Sequence, residues 1–250
     1  MTFLNKIIVL FGAVLLASCN FTENLEINDD GTGNFSVEMD GSSLMTMTGN
    51  KLGKISNKTA IDSTISFKEL LTLKKDSIAK LSPKEQQELK KIENFVMHIK
   101  MDANRKQFLF SVKTPFQKVS EIENIMGSLK ALKNLKGKGT QDHLLLPVGD
   151  DFGDNNSKLS FTYSGSNFSR TAKLLHKKEA IKPEADSLGM IKMIFASSNY
   201  TLKYHFPKRV KTVSNPNALF SSDKKTITVE YPFLDYMDNP DKLNLKVEFE

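Results

Sequence analysis

The first half of the chain contains two stretches in which apolar and polar residues alternate on both sides of a short turn. Residues 25–27 and 35–39 alternate around an Asp-Asp-Gly turn at 29–31, and residues 95–101 and 108–112 alternate around a second polar turn. Alternation with a period of two on either side of a turn is typical of a β-hairpin. The pattern therefore predicts two antiparallel hairpins.

Beyond the first hairpin, apolar residues recur at helical spacing. Ser66 stands three residues before a Glu, and Ser82 stands three residues before another, which is the spacing of a capping box. Pro83 then occupies the first helical position of the second segment. The same spacing predicts a helix over residues 119–132 and a short helix over residues 185–195. The sequence thus predicts several amphipathic helices.

The pattern of the C-terminal third is mainly that of β-strands. Hairpins and helices that follow one another in separate runs favour an α+β fold over the regular alternation of a parallel α/β fold. The fold class predicted is α+β, with a largely antiparallel sheet built from hairpins and several amphipathic helices packed on it. Strands are predicted in the later part of the chain at residues 159–163, 168–174, 200–206, 210–214, 226–231 and 243–249.

The N-terminus has the layout of an export signal. Residues 1–6 carry one cation, Lys6, and residues 7–16 form an apolar run of about half the length that a membrane-spanning helix needs. Residues 1–18 are therefore predicted to be a lipoprotein signal peptide. Residues 19–24 are predicted to be a lipidated tether and residues 25–250 a single α+β domain.

Cys19, the one cysteine among 250 residues, rules out an intrachain disulfide. The stretch Leu16-Ala17-Ser18-Cys19 resembles the lipobox of bacterial lipoproteins. The resemblance implies that Leu16, Ala17 and Ser18 are recognised by the lipoprotein signal peptidase. It also implies that Cys19 becomes the first mature residue and carries lipid, including fatty acyl chains such as palmitate. Membrane lipid is thus a predicted partner, and Asn20, which replaces the Asp associated with inner-membrane retention, favours the outer membrane.

The charge is mildly basic, with 35 Lys and Arg against 29 Asp and Glu and a formal net charge of +6. Lys-rich helix faces fit either contact with lipid headgroups or an ordinary solvated surface. No dense basic tract is interleaved with aromatic residues, so the sequence predicts no nucleic-acid partner. The 17 Phe and 10 Met residues supply bulky side chains for a core.

Motifs of catalysis and metal binding are not found in the sequence. His98, His143, His176 and His205 lack the spacing of a zinc site, and no G-x-S-x-G or phosphate-binding glycine motif occurs. We therefore predict no catalytic residue, no metal and no cofactor. Carboxylates and amides cluster at 150–156, which fits a polar surface loop or, alternatively, a calcium site.

Several stretches of the mature chain resemble envelope lipoproteins of the Bacteroidota type, a group without an assigned activity. The resemblance implies the location and fold of the chain and no specific role. The stretches are residues 26–33, residues 66–71 running into 75–78, and residues 204–207 with Val210, 223–227 and 234–236.

These observations lead to one main functional hypothesis and two alternatives. The main hypothesis is a lipid-anchored, non-catalytic module of the cell envelope, facing the periplasm or the cell surface, that binds a protein or another envelope component. One alternative is a lipid-tethered hydrolase whose catalytic residues are dispersed in the sequence. The other is a carrier of an apolar ligand, which predicts a large cavity lined by Met and Phe.

Overall fold

The computed structural model describes residues 19–43, 45, 60–123, 157–174 and 195–250. Most of these residues belong to two β-sheets, in agreement with the predicted antiparallel fold. The strands are β1 (Asn20–Ile27), β2 (Gly33–Asp40), β3 (Ala60–Ser66), β4 (Val96–Asp102), β5 (Gln107–Phe116), β6 (Ser157–Tyr163), β7 (Asn167–Leu174), β8 (Asn199–His205), β9 (Val210–Val213), β10 (Leu219–Phe220), β11 (Thr226–Pro232) and β12 (Leu245–Phe249).

The larger sheet has eight strands in the order β10-β11-β8-β1-β2-β5-β4-β3, and the smaller has four in the order β6-β7-β12-β9. Both predicted hairpins are confirmed, because β1 pairs with β2 and β4 pairs with β5 in antiparallel register. β1 and β8 are parallel, whereas every other pair in the described part is antiparallel. β1 therefore lies inside the large sheet with a bonded neighbour on each side.

One face of the large sheet is buried, and the smaller sheet packs against part of it. Along β1 the odd-numbered side chains are buried while the even-numbered ones face outward and are polar. Phe35 of β2 meets Phe161 of β6 with ring centres 5.9 Å apart, and Phe168 of β7 meets Tyr204 of β8 at 5.5 Å. The inner faces of the two sheets thus share an aromatic core.

The predicted layer of amphipathic helices is not confirmed. Four short helices lie wholly within the described residues: α1 (Phe67–Leu73), α2 (Lys75–Ile78), α3 (Pro83–Lys91) and α4 (Phe233–Asp238), each with at most one fully buried side chain. A second sheet takes the place of helices over the β1 region. Of the helix predicted at 119–132, Val119–Ile122 forms a 3₁₀ turn, while residues 124–132 and 185–194 lie outside the described residues.

The two capping boxes have different outcomes. At Ser82 the hydroxyl accepts a hydrogen bond from the Glu85 amide and the Glu85 carboxylate accepts one from the Ser82 amide, as predicted. At Ser66 the side chain caps nothing, so that prediction is wrong. Ser66 is the last residue of β3 and is paired with Val96 of β4, which ties it to the sheet rather than to the helix.

Most of the segment predicted to be a lipidated tether, residues 19–24, lies in β1, which begins at Asn20. The alternation of apolar and polar residues in β1 is interrupted by Glu23, a charged residue at one of the buried positions of the strand. With Glu23 counted as polar, residues 20–24 lack the apolar alternation that marks a strand. No helix among the described residues is long and apolar enough to cross a membrane.

The β1–β2 turn has the local chemistry that the Asp-Gly sequence predicts. The Asp30 carboxylate accepts hydrogen bonds from the amide and the hydroxyl of Thr32, and Gly31 has a φ of +84°. Residues with a side chain rarely adopt this positive φ, so glycine is favoured at this position. Gly33 is needed for a different reason: a Cβ at this position would lie 1.9 Å from the Glu26 carbonyl oxygen and 2.4 Å from Cζ of Phe116.

We expect Gly33→Ala to lower the free energy of unfolding by about 1–3 kcal/mol, since the methyl group would force apart the backbone of β1 and a buried ring of β5. Urea-induced unfolding followed by circular dichroism measures the change. Gly165→Ala is the matched control, because a Cβ there meets only Nζ of Lys208 at 3.7 Å. Equal stability of the two variants would contradict the close approach at Gly33.

Candidate functional site

The most concentrated group of polar side chains in the described residues surrounds the buried carboxylate of Glu23. Arg170 donates from Nε to Oε1 at 3.0 Å and from Nη2 to Oε2 at 3.1 Å. The Tyr200 hydroxyl donates to Oε2 at 2.8 Å, and the Tyr204 hydroxyl donates to Oε1. Arg170 also donates from Nη1 to the carbonyl of Leu243 at 3.1 Å. We call Glu23, Arg170, Tyr200 and Tyr204 the carboxylate cluster.

Each member reaches the cluster from a strand position that faces the core. Glu23 lies on β1, in register with Leu202 of β8, and the two tyrosines lie two residues to either side of Leu202 on the same face. Arg170 lies on β7 of the smaller sheet between the buried positions 168 and 172. The cluster therefore joins the two sheets across the core.

Electrostatics hold the cluster in one charge state. Burial on its own raises the pKa of Glu23, but the charge of Arg170 and the hydrogen bonds from Arg170 and both tyrosines outweigh burial and lower that pKa below its ordinary value. Burial and the neighbouring Glu23 charge raise the pKa values of Tyr200 and Tyr204 well above the ordinary value. At neutral pH the carboxylate is thus ionised and both phenols are protonated.

The carboxylate cluster is sealed from solvent, with Glu23 and Arg170 only 1% and 2% exposed. Both carboxylate oxygens and all three guanidinium nitrogens have partners, so no polar atom is left to receive a substrate. The polar atoms of the group thus bond to one another and to the core, where they link the two sheets. The sequence signal that identifies it is a charged residue at a buried position of an alternating strand, as in Phe21-Thr22-Glu23-Asn24-Leu25.

Cys19 lies directly before β1, and its side chain belongs to the buried core at 1% exposure. Its backbone N–H donates to Oγ of Ser198 at 3.1 Å. Its odd number places it on the buried side of β1, with Phe21 and Glu23. The other three residues predicted for processing, Leu16, Ala17 and Ser18, lie outside the described residues.

Stacked aromatic rings fill the core next to Cys19. Phe21 and Phe233 stack with centres 4.1 Å apart, and Phe195 lies 4.9 Å from Phe233. Tyr200 of the carboxylate cluster stacks on Tyr236 of α4 at 4.2 Å. The start of β1 is thus fixed by rings from β8, α4 and the segment before β8.

A second polar group lies on the outer face of the large sheet. His98 of β4 and Asp62 of β3 bond at 2.8 Å between Nε2 and Oδ1, and this hydrogen bond from His98 lowers the pKa of Asp62. Ser111 of β5 is the register partner of His98, but no hydrogen bond joins the two side chains. The three residues lie on an open sheet face and do not form the linked nucleophile and base of a hydrolase.

The remaining candidate residues give no metal or catalytic site in the described part of the chain. His205 bonds to the Thr226 hydroxyl at 2.9 Å, while His143, His176 and residues 150–156 lie outside the described residues. No group of three His, Cys, Asp or Glu side chains that could hold a metal occurs among residues 19–43, 45, 60–123, 157–174 and 195–250.

A small open cavity lies between the end of α3 and the end of β5. Its volume is about 80 Å³, and Asn94, Thr114, Phe116 and Glu121 contribute to its lining. Pockets for small-molecule ligands usually measure about 300–1,000 Å³. This cavity is therefore too small for the apolar ligand that a carrier would hold.

The connections at the two ends of the large sheet differ. The end with Cys19, which we call the anchor end, includes Asp40, Asn199 and Pro232, the register neighbours of the first residue of β1 and of β8. The opposite end, which we call the loop end, carries the β1–β2, β8–β9 and β10–β11 connections. The sequence stretches at 26–33, 204–210 and 223–227 meet there: Glu26 pairs with His205, and His205 pairs with Thr226.

Comparison with known proteins leaves the family of the chain open. No family model matches the chain, and no curated protein matches it. Among solved structures, the folded domain of the LppM protein of Mycobacterium tuberculosis matches at 9% sequence identity and a TM-score of 0.38, over 93% of this chain and 89% of that one. At this TM-score the likeness supports no transfer of fold or role.

We expect Glu23→Gln and Arg170→Met to cost about 3–5 kcal/mol of unfolding free energy each, because either change leaves the other group buried without its counter-charge. The double variant should cost much less than the sum of the two. Urea unfolding of all four forms gives the coupling energy. The partly exposed pair Asp235–Lys242, 2.7 Å apart, is the matched control and should couple by no more than about 1 kcal/mol. Additive losses at residues 23 and 170 would contradict a coupled pair.

The lowered pKa of Glu23 also predicts how stability depends on pH. A carboxylate whose folded pKa is depressed stabilises the fold fully above its unfolded pKa, and this stabilisation is lost as pH falls through the folded pKa. Between about pH 5 and pH 3 the native chain should therefore lose stability more steeply than the Glu23→Gln, Arg170→Met double variant. Urea unfolding at several pH values tests this. Glu230→Gln, at an exposed carboxylate of β11, should keep the native slope, and parallel slopes for the native and double-variant chains would refute the prediction.

Proposed function

We propose that this chain is a lipid-anchored lipoprotein of the bacterial cell envelope that acts as a non-catalytic binding or assembly module. The observation that carries the proposal is the position of Cys19 directly before β1. Cleavage between Ser18 and Cys19 would remove the predicted leader and leave every described strand intact. The processing site and the start of the folded domain coincide.

The burial of Cys19 bears on how the anchor would be attached. The thiol is buried on the inner side of β1, so attachment of a diacylglyceryl group to Sγ would require Cys19 to turn out of the core at the anchor end, beside Ser198. No flexible residues would separate lipid from sheet, because Asn20 is already paired with Asp40 and Asn199. The domain would sit close to the bilayer. We also propose that the domain is attached to the outer membrane and faces the periplasm or the cell surface.

The proposal of a non-catalytic role is supported by what the described polar groups do. The carboxylate cluster is fully engaged inside the core, and the Asp62–His98 pair lies on an open face without a bonded nucleophile. Proteins that bind by surface contact need neither a deep pocket nor perturbed groups within one. An exported domain with a rigid two-sheet core and turns at one end fits such a role.

The test is metabolic labelling with an alkyne fatty acid followed by fractionation of the cells. The native chain should carry the label and stay in the membrane fraction, because two or three acyl chains anchor a protein firmly. Cys19→Ser should lose the label and appear in the soluble fraction. Ser18→Ala, which keeps a small residue before the cysteine, is the matched control and should behave as the native chain does. Label retained on the Cys19→Ser chain would overturn the proposal.

A further inference from the structure

The loop end carries a compact group of four cations, one of which, Lys208, also donates from Nζ to the Gly165 carbonyl at 2.7 Å. Lys208 and Arg209 lie in the β8–β9 connection, and Lys224 and Lys225 lie in the β10–β11 turn. Two backbone hydrogen bonds join these segments, from the Phe206 amide to the Lys225 carbonyl at 2.9 Å and from the Val210 amide to the Lys224 carbonyl at 2.8 Å. We call residues 206–210 and 221–225 the basic loop pair.

The basic loop pair is held in a fixed shape. Lys224 has a φ of +57°, a conformation that residues with a side chain seldom adopt. Its amide donates to the Ser221 carbonyl at 2.9 Å, and the Lys225 amide donates to the Asp223 carboxylate at 3.0 Å. The turn therefore presents its two lysines from a constrained backbone, which lowers the entropic cost of binding a partner.

Charge in the basic loop pair is one-sided. It contains four cations and one carboxylate, that of Asp223, and Glu250 at the end of β12 pairs with Arg209 at 3.2 Å. Lys208, Arg209 and Lys224 are exposed. The hydrogen bond from the Ser221 hydroxyl lowers the pKa of Asp223, so its single negative charge persists at neutral pH. A surplus of positive charge remains to attract an anionic partner.

The apolar residues of the basic loop pair are buried, because Phe206 and Val210 are 0% and 2% exposed. Insertion into a bilayer and stable docking of a protein both rely on exposed apolar or aromatic anchors. The basic loop pair itself offers mainly ammonium groups, which are hydrated point charges rather than geometric forks for a single anion. Such an array fits a hydrated polymer with repeated negative charges. On the neighbouring β10, Leu219 and Phe220 are 68% and 47% exposed, and the Phe220 ring can pack on a sugar face.

The position of the basic loop pair relative to the anchor also argues against the membrane to which Cys19 would attach. β1 spans eight residues between the anchor end and the loop end, a length of about 26 Å. The lysines thus lie about one strand length from the lipid, farther than the roughly 8–10 Å over which charges act at physiological salt.

We propose that the basic loop pair binds an anionic polysaccharide of the cell envelope, one that carries carboxylates along its chain. This inference rests on the proposed function for its cellular setting, since lipid anchoring would present the loop end toward envelope polymers. An anionic polysaccharide is thus the class of partner proposed for the binding module. Binding itself depends on the lysines and not on the lipid.

The test is titration of the full-length lipidated chain, in neutral phosphatidylcholine vesicles at low salt, with alginate oligosaccharides as the probe. Replacing Lys208, Lys224 and Lys225 together by Gln should weaken the affinity about tenfold, given the modest contribution of each exposed charge. The matched control replaces Lys68, Lys84 and Lys90 of α1 and α3 by Gln. It removes the same charge from exposed sites and should change the affinity by less than about twofold.

Three results would overturn the proposal: no binding of alginate by the native chain, equal weakening by both triple variants, or tighter binding of polyglutamate or anionic phosphatidylglycerol vesicles than of alginate. The Cys19→Ser chain separates this inference from the anchoring proposal. If that chain leaves the vesicles but still binds alginate through the three lysines, both proposals stand. If it stays lipid-labelled on the vesicles, anchoring through Cys19 fails while the result with alginate is unaffected.

Discussion

The buried ion pair between Glu23 and Arg170 is the interaction that ties the two sheets of this protein into one core. Removing both charges from water is costly, and the cost is repaid only where geometry and further hydrogen bonds are favourable. Here two parallel bonds join carboxylate and guanidinium, and the hydroxyls of Tyr200 and Tyr204 complete the shell. Aromatic contacts alone would allow the sheets to slide, whereas this network fixes one relative position.

The same pair explains why the first strand can begin immediately after the proposed lipid site. β1 lies between β2 and β8, and Glu23, four residues after Cys19, is locked to the smaller sheet. A short edge strand next to a lipid anchor would peel from the sheet under load, whereas a central strand with a buried ion pair resists this. The structure thus places a fully buried ion pair close to the point where the bilayer would act on the chain.

Local patterns in the sequence predict those parts of the fold that form from neighbouring residues. Both hairpins and the Ser82 capping box follow from alternation, turn chemistry and spacing over a few positions. Contacts between distant residues were missed: Glu23 and Arg170 are 147 positions apart, and nothing local marks them as partners. At Ser66 a local pattern predicted a capping box that does not form, because Ser66 pairs with β4 as the last residue of β3. An analysis of apolar periodicity thus overlooks polar residues at buried strand positions, although such residues indicate contacts between distant parts of the chain.

Charge placement carries more information than charge total in this chain. A formal net charge of +6 spread over 250 residues distinguishes no partner. Once the fold brings residues 206–210 against 221–225, four cations share one surface, and the acidic β1–β2 turn lies on a separate connection at the same loop end. Because strand pairing sets this arrangement and the proposed lipid site lies at the other end of β1, the proposed anchoring and binding can be altered independently. The proposed polymer-binding surface and the proposed membrane attachment thus lie at opposite ends of one domain and can be tested separately.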